Sequence, residues 1–367
     1  MHPPPALPSA ASDPGSSALL TDLYELTMLQ TYYERGMVET AVFELFFRRP
    51  ARGARNFLLA AGLEQALEFL EQLHVSEAEL EWLANTGLFS SGFIDQLARL
   101  RFCGDVDAIP EGTPCFPDEP MIRVIAPLPE AQIVESRLMN LLHFQTLIAS
   151  KAARAVLQAP GRLLVDFGLR RAHGAEAALL AARATYLAGF TGSSTVLAGQ
   201  RFGVPVFGTM AHSFIQAHAS ELQAFEHFAR SHPQGVTLLI DTYDTEAAAR
   251  KLAQLGPRLV RDGIRIQAVR LDSGDLADHA FKVRGILDSA GLNEVKIFAS
   301  SGLDECALRE LLSVRQAPID GFGIGSAMDT SQDLPNLDCA YKLQEYAGRA
   351  RRKRSEGKAT WPGRKQI

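Results

Sequence analysis

Two kinds of hydrophobic pattern alternate along the second half of the chain, and the alternation repeats. Short apolar runs rich in β-branched residues occur at Leu163–Asp166, Val204–Phe207, Val236–Ile240, Ile264–Val269, Val295–Phe298 and Ile319–Phe322. Such runs predict buried strands. Between them, Ala175–Leu187, Ser220–Ala229, Thr245–Leu255 and Leu276–Ser289 place apolar residues at helical spacing. Strand–helix repeats at roughly 25–40-residue intervals predict a (β/α) TIM-like barrel, with an open doubly wound sheet as the alternative. Every one of these strands empties into glycine, hydroxyl or charge: Phe167-Gly168, Gly208-Thr209, Asp241, Arg270-Leu271-Asp272-Ser273-Gly274, Ser300-Ser301-Gly302 and Gly323-Ile324-Gly325-Ser326. In either fold the C-terminal ends of parallel strands are where α/β enzymes bind and react.

The first third reads differently. Residues 1–17 are rich in Pro, Ser and Ala and bury too little to offset ordering entropy, which predicts a loose tail. Thr21 or Asp22 is placed to cap a helix through Leu23, Leu26, Met28 and Leu29. Ala41–Arg48 is expected as a strand and Leu58–Leu73 as a helix. Ser76–Ala84 is expected as a second helix, with Ser76 and Glu79 spaced as a capping box. Val106–Ala108, Pro114–Phe116 and Met121–Ile125 are short strand candidates between Pro and Gly turns. Together they predict an α+β domain over residues 18–129, joined by residues 336–367. A long helix, Glu130–Val156, stops at Ala159-Pro160-Gly161 and opens the barrel domain expected over residues 130–335. The segment Arg349–Ile367 holds eight Lys or Arg against one Glu. It is expected as a solvated, mobile basic tail, with phosphate binding as the alternative.

Composition narrows the class. With 47% hydrophobic and 22% charged residues the 367-residue chain is an ordinary globular protein. A net charge of −5 argues against nucleic acid or an anionic membrane as the main partner. Cys103, Cys115, Cys306 and Cys339 form no CxxC pair and are expected as reduced thiols. No Lys or Arg precedes Arg35, so a secretion signal is not expected, and no apolar run approaches membrane-spanning length. A soluble cytoplasmic enzyme is the expectation.

The strand ends supply a particular set of groups. Arg170, Arg171 and Arg270 are cations; Asp241, Asp244, Asp272 and Asp275 are carboxylates; His212 is an imidazole. Closely spaced glycines after a strand allow backbone N–H groups to approach an anion, and Gly323-Ile324-Gly325-Ser326 and Ser300-Ser301-Gly302 both qualify. Asp272 and Asp275 flank Ser273-Gly274, an arrangement suited to ribose hydroxyls or Mg²⁺ and equally to capping a helix. Read alone, His212 fits a core histidine as well as a catalytic one. No GxSxG elbow, Walker loop, HExxH or dinucleotide fingerprint is present. A site for an anionic, phosphorylated sugar with one histidine at hand is what remains.

An ordered series of motifs then carries a resemblance. Thr21-Asp22-Leu23-Tyr24, Phe43–Arg49, Phe167–Gly174, Gly208–Ser213, Arg270–Leu276, Phe322–Ser326 and Tyr341–Leu343 together resemble the nicotinate phosphoribosyltransferases, a type II phosphoribosyltransferase family. The resemblance covers essentially everything after the N-terminal tail. It implies formation of nicotinate mononucleotide and pyrophosphate from nicotinate and phosphoribosyl pyrophosphate, with ATP as co-substrate and a transient phosphohistidine at His212. It further implies that nicotinate meets Tyr24, Thr209 and Arg270 in a pocket lined by Phe167 and Arg170, Tyr24 coming from the other subunit of a homodimer. Ser326 with Gly323 and Gly325, and also Ser273 and Gly302, would hold the ribose phosphate. Mg²⁺ is expected on the pyrophosphate, with Asp272 near ribose or metal and Arg270 and Asp272 as catalytic groups. Ser194 stands where the related nicotinamide enzyme carries Asp, which would repel a carboxylate, so serine favours the acid. His173 occupies a position where the family more often has Gln, and the family's last segment is not matched beyond Ile367. The competing readings are a nicotinamide or quinolinate enzyme, a truncated inactive paralogue, and a barrel lyase or isomerase. The last needs a Schiff-base Lys or general base at a strand end, and none of the six predicted strands ends in Lys.

Overall fold

A computed structural model of the chain describes residues 15, 17–49, 55–356, 358 and 360–367. Most of the tail expected over residues 1–17 lies outside the described residues. The chain divides into two compact units, Met1–Thr146 with Asn336–Ile367, and Leu147–Pro335. The division falls within helix Glu135–Gln158.

The first unit is built on an antiparallel sheet in the order Arg349–Ala350, Cys339–Tyr346, Thr40–Phe47, Ile122–Pro127, Asp105–Ala108. Thr40–Phe47 is buried on both faces, and Phe43 stacks on the buried Tyr341 ring at 4.8 Å. Around the sheet run helices Leu23–Glu34, Leu63–Glu71, Glu77–Asn85, Ser91–Leu97 and Leu128–Ile133. The capping box at Ser76 and Glu79 is present in full.

Three expectations are corrected in this unit. Leu58–Leu73 is not one helix: Leu58–Leu59 is a strand paired with Pro114–Cys115, and the helix begins only at Leu63. Gly62 causes the break, with φ at 102° and a side-chain-free approach to the Leu141 carbonyl. The long helix from Glu130 is interrupted at Val134, giving Leu128–Ile133 and Glu135–Gln158. Apolar spacing runs through the break and so conceals it. The basic tail is held, not free: Arg364 pairs with Glu345 at 2.9 Å, and Lys365 bonds the buried Glu44 at 2.6 Å. The Lys/Arg count revealed the charge but not the acidic partners waiting on the sheet.

The second unit holds an all-parallel sheet in the order Gly192–Ser193, Leu163–Asp166, Gly321–Ile324, Lys296–Ser300, Ile266–Leu271, Val236–Leu239. Strands consecutive in the chain are neighbours except Gly192–Ser193 and Val236–Leu239, which form the two ends of the arc, and the last, Gly321–Ile324, lies beside the first, Leu163–Asp166. This is the order of a barrel, present as a parallel half-barrel sheet. A single parallel bridge, Ser193 to Val206, extends the arc, and no pairing joins Val206 to Val236 among the described residues. The strand expected at Val204–Phe207 is therefore reduced to one bridge. Pro205 interrupts its ladder by lacking an N–H; its carbonyl accepts from Ser193 N and Phe207 N returns a bond to Ser193 O. The two-residue strand Gly192–Ser193, with no β-branched residue, carried no pattern from which to expect it.

Helices pack the outside of the sheet: Ala175–Leu187, Glu221–Ser231, Thr245–Arg261 and Leu276–Ser289. Thr245–Arg261 continues past the end expected at Leu255, through Pro257 and through Gly256, which packs on Leu292 where a Cβ would crowd that side chain. Ala248, Leu252, Val283, Leu287 and Leu308 close over Leu238, Val269, Ile297 and Phe322 to form the core. All four cysteines are free, and burial pushes the Cys115 and Cys339 thiols up to about 12. Among the described residues no helix is long and apolar enough to cross a membrane.

Candidate functional site

The site is assembled at the C-terminal ends of the parallel strands. Arg270, second to last in Ile266–Leu271, directs each part of its guanidinium to a different element. Nε donates to Ser300 Oγ at 2.8 Å, Nη1 to Thr209 Oγ1 at 3.1 Å and Nη2 to Asp272 Oδ1 at 2.9 Å. The guanidinium lies 5.4 Å from the centroid of the Phe167 ring, and Phe167 packs on Phe298 at 5.7 Å. A planar fork bound on three sides has its orientation fixed before a substrate arrives.

Asp272 is the complement of that cation. Ser300 donates to its Oδ1 at 2.5 Å, and its backbone N–H donates to Asp241 Oδ2 at 3.1 Å. Burial works to raise the carboxyl, but the Ser300 hydrogen bond and the Arg270 guanidinium outweigh it and hold Asp272 below the usual carboxylate range. His212 opens the short helix His212–Gln216. Its Nδ1 is 3.1 Å from Thr242 Oγ1, and its Nε2 is 3.7 Å from Asp272 Oδ2. The His212 side chain is 42% exposed.

Two cavities meet at Phe167. The first, of about 320 Å³, is lined by Phe167, Arg170, Arg270, Asp272, Gly302, Gly323, Gly325 and Ser326, among others. The second, of about 1150 Å³, extends inside the strand arc from Phe167, Gly208 and Thr209 to Arg162, Arg265 and Lys296 at the strand N-terminal ends. Gly323 is required where the Phe167 ring would meet a Cβ, and Ser301 and Gly302 both adopt positive φ, 81° and 63°. A serine in that conformation at a strand end is local strain of the kind found at functional rims.

Most residues singled out in the sequence are thus brought together in this unit, but not all. Ser273 turns its hydroxyl onto Asp241 Oδ2 at 2.6 Å and lines neither cavity. Ser194 is half-buried, donates its N–H to the Asp166 carbonyl, and also lines neither. Tyr24 belongs to the other unit, 46% exposed on the first turn of Leu23–Glu34. Asp275 is the cap of Leu276–Ser289, accepting from Asp278 N, and Asp244 caps Thr245–Arg261. Thr242 is a site residue that motif spacing did not single out; it directly follows Asp241, and the strand-end rule could have supplied it. Ser300 was named within the Ser300-Ser301-Gly302 anion turn, and its place between Arg270 and Asp272 is what the spacing did not show. No group of three or more His, Cys, Asp or Glu among the described residues could enclose a metal. Two aspartates line the cavity: Asp304 is committed to capping Glu305–Arg309, accepting from Ala307 N, and Asp272 fits Mg²⁺, which binds through one or two carboxylates and completes its shell with phosphate and water.

A parallel strand arc whose C-terminal rim carries a fixed arginine fork, a paired carboxylate and glycine turns defines an α/β enzyme site for an anionic substrate. Sequence comparison is more specific. The profile of the nicotinate phosphoribosyltransferase (NAPRTase) N-terminal domain matches residues 19–143, and that of the nicotinate phosphoribosyltransferase (NAPRTase) family matches residues 163–356. The chain belongs to this family. It is 52% identical over 350 residues to a nicotinate phosphoribosyltransferase of Mycobacterium tuberculosis, covering 95% of this chain and 75% of that protein. It is 40% identical to a nicotinate phosphoribosyltransferase of Bacillus subtilis, covering 96% and 73% respectively. The crystal structure of human nicotinic acid phosphoribosyltransferase superposes with a TM-score of 0.79 at 32% identity, covering 90% of this chain and 75% of that one.

Proposed function

We propose that the chain is a nicotinate phosphoribosyltransferase acting in NAD biosynthesis, coupled to ATP through a phosphohistidine at His212. The observation that carries the reading is Arg270, held by Thr209, Asp272 and Ser300 beside the Phe167 ring where the two cavities meet. A flat, carboxylate-bearing pyridine suits a flat aromatic wall and a guanidinium fork. The nucleophile is the pyridine nitrogen, whose lone pair needs no base to free it. The C1–O bond to pyrophosphate breaks, the C1–N bond forms, and positive charge develops on the ribose. An ionised Asp272 favours that charge, and Arg170, the glycine turns and Ser326 favour the phosphates. Mg²⁺, with Asp272 as its protein ligand, would neutralise the leaving pyrophosphate.

His212 fits the role of phosphoryl acceptor because Thr242 engages Nδ1, the side chain is part-exposed, and Nε2 has no partner within hydrogen-bond distance among the described residues, Asp272 standing 3.7 Å away. The phosphoryl group passes from ATP to Nε2 with release of ADP, and water later removes it as phosphate. In this reading residues 130–335 form an irregular TIM-like barrel with its seam between Val206 and Val236. Residues 18–129 with 336–367 form the accompanying α+β domain. The enzyme is cytoplasmic and homodimeric, the exposed Tyr24 serving the partner's site.

The test is direct. Purified protein is given phosphoribosyl pyrophosphate, Mg²⁺ and either nicotinate or nicotinamide, with and without ATP, and mononucleotide is measured. Product from nicotinamide and none from nicotinate sinks the reading. His212→Ala is expected to abolish ATP stimulation and leave a slow ATP-independent reaction. Full stimulation in that variant removes the phosphohistidine from His212.

A further inference from the structure

Behind the loops that line the smaller cavity lies a pair of carboxyls that the chemistry above does not use. Asp166 ends strand Leu163–Asp166, and Asp329 ends the short helix Ser326–Asp329. Both are buried, at 0% and 1% exposure. Asp166 is well supplied with donors: Oδ1 accepts from Gly168 N at 2.8 Å, and Oδ2 from the Ser193 hydroxyl at 2.7 Å. Asp329 is not. Neither of its oxygens receives an N–H or O–H from the described residues. Its carboxyl lies where a Cβ on Gly168 would stand, and the N–H of that same glycine donates to the Asp166 carboxyl, so one glycine brings the two carboxyls together.

Two ionised carboxylates in contact and out of water repel each other, whereas one proton turns the pair into a donor and an acceptor. The elements packed on the helix of Asp329 are the turn Leu169–Arg171 and the helix Ala175–Leu187, which carry Arg170, Arg171, Glu176, Arg183 and Tyr186. The charge that acts on Asp329 is nevertheless that of Asp166. Burial first, and then the Asp166 carboxylate, push the Asp329 carboxyl well above the usual range. Burial raises Asp166 too, with the Ser193 and Gly168 hydrogen bonds opposing.

We propose that Asp329 is a positioning residue: a proton held between its carboxyl and that of Asp166 fastens the Phe167–Arg171 turn to the Gly325–Asp329 loop. These segments supply Phe167, Arg170, Gly325 and Ser326 to the cavity lining. The shared proton thereby sets the spacing between the ring wall and the phosphate turn. Asp329 donates, Asp166 accepts, and loss of the proton leaves two anions that push the loops apart. The consequence for catalysis rests on the function proposed above, but the shared proton itself does not.

Asp329→Asn replaces the shared proton with a permanent amide donor, and Asp329→Ala removes the fastening. Two measurements follow, each over neutral to alkaline pH. In kcat/KM for phosphoribosyl pyrophosphate, the native protein is expected to lose activity as the pair ionises, and D329N to lack that loss. D329A is expected to raise KM for phosphoribosyl pyrophosphate about ten-fold while lowering kcat less. In thermal unfolding, the native protein falls relative to D329N as pH rises. A carboxyl raised in the folded state gives stability that is lost as pH climbs through its folded value. Parallel pH curves for native protein and D329N in unfolding overturn the shared proton. A difference in unfolding with identical kinetic profiles overturns the positioning role. Should no nicotinate turnover exist, the unfolding curves, together with protection by phosphoribosyl pyrophosphate in D329A against native protein, still decide both points, and it is the proposed function that fails.

Discussion

The same device, a serine hydroxyl wedged between charged groups, appears in both units with opposite electrostatic results. At the rim of the parallel sheet, Ser300 Oγ accepts from Arg270 Nε and donates to Asp272 Oδ1. One lone pair and one proton each find the right partner, and Asp272 stays ionised. In the other unit, Ser136 Oγ lies 2.6 Å from Asp22 Oδ2 and 2.7 Å from Glu25 Oε1. A single hydroxyl proton cannot serve two carboxylates. Glu25 is fully buried, so burial drives its carboxyl up to about 7, against hydrogen bonds from Ser136 and Thr21 and with Glu135 assisting the rise. Once Glu25 is protonated the serine proton is left to Asp22, and the two carboxyls no longer compete for it. A cation at hand makes the first cluster a charged platform; its lack makes the second a latch that is neutral at Glu25.

The sharpest way to break this comparison is to remove the cation. Arg270→Ala leaves Asp272 half-buried with a serine as its remaining side-chain donor. It is expected to cost about 3 kcal/mol or more in kcat/KM for nicotinate, roughly a hundred-fold. Arg270→Lys keeps the charge but loses the fork, and is expected to recover only part of this. A loss in kcat/KM for phosphoribosyl pyrophosphate alone would place Arg270 on the wrong substrate. The pH dependences then have opposite signs. Asp272, lowered on folding, contributes stability that is present above its unfolded value and lost as pH falls through its folded one. Glu25, raised from 4.5 to about 7, contributes stability that is full below 4.5 and lost as pH rises through 7. Glu25→Gln is expected to flatten that decline, whose full size is on the order of 2–3 kcal/mol in denaturant unfolding between those limits. An unchanged slope in the variant would remove the neutral latch.

The sequence made one of these clusters legible and hid the other. Arg270, Asp272 and His212 stand at the ends of apolar runs, and a parallel sheet brings strand ends to one rim whatever its exact registers. That rule needs only periodicity. Ser136 meets Glu25 across 111 positions, and Asp329 meets Asp166 across a similar gulf, without any local pattern to announce the contact. The errors in the fold have the same origin. Pro205 and Gly62 changed elements through backbone chemistry inside runs whose apolar spacing was intact, while Gly192–Ser193 became a strand with no pattern at all. Periodicity shows which face is buried; it does not show what the buried polar groups find there.

The smallest expected effect refines the comparison most finely. Ser300→Ala deletes the hydroxyl that joins Arg270 to Asp272 but leaves their direct bond of 2.9 Å. If the rim cluster were held by that ion pair alone, the change would be silent. The hydroxyl does two things the pair cannot: it occupies Nε, which fixes the plane of the guanidinium, and it contributes most among the groups that lower Asp272. Ser300→Ala is therefore expected to raise KM for nicotinate about five- to ten-fold, close to 1 kcal/mol, and to move the acidic limb of kcat toward neutral pH. Ser136→Ala is expected to act in the other direction on its own cluster, removing a bond that lowers Glu25 and so widening the pH range over which stability declines. Two identical deletions, one acting on a paired carboxylate and one on a protonated carboxyl, thus give different kinds of pH response. An acidic limb that stays put in Ser300→Ala would show that Arg270, without the serine, is sufficient to keep Asp272 ionised.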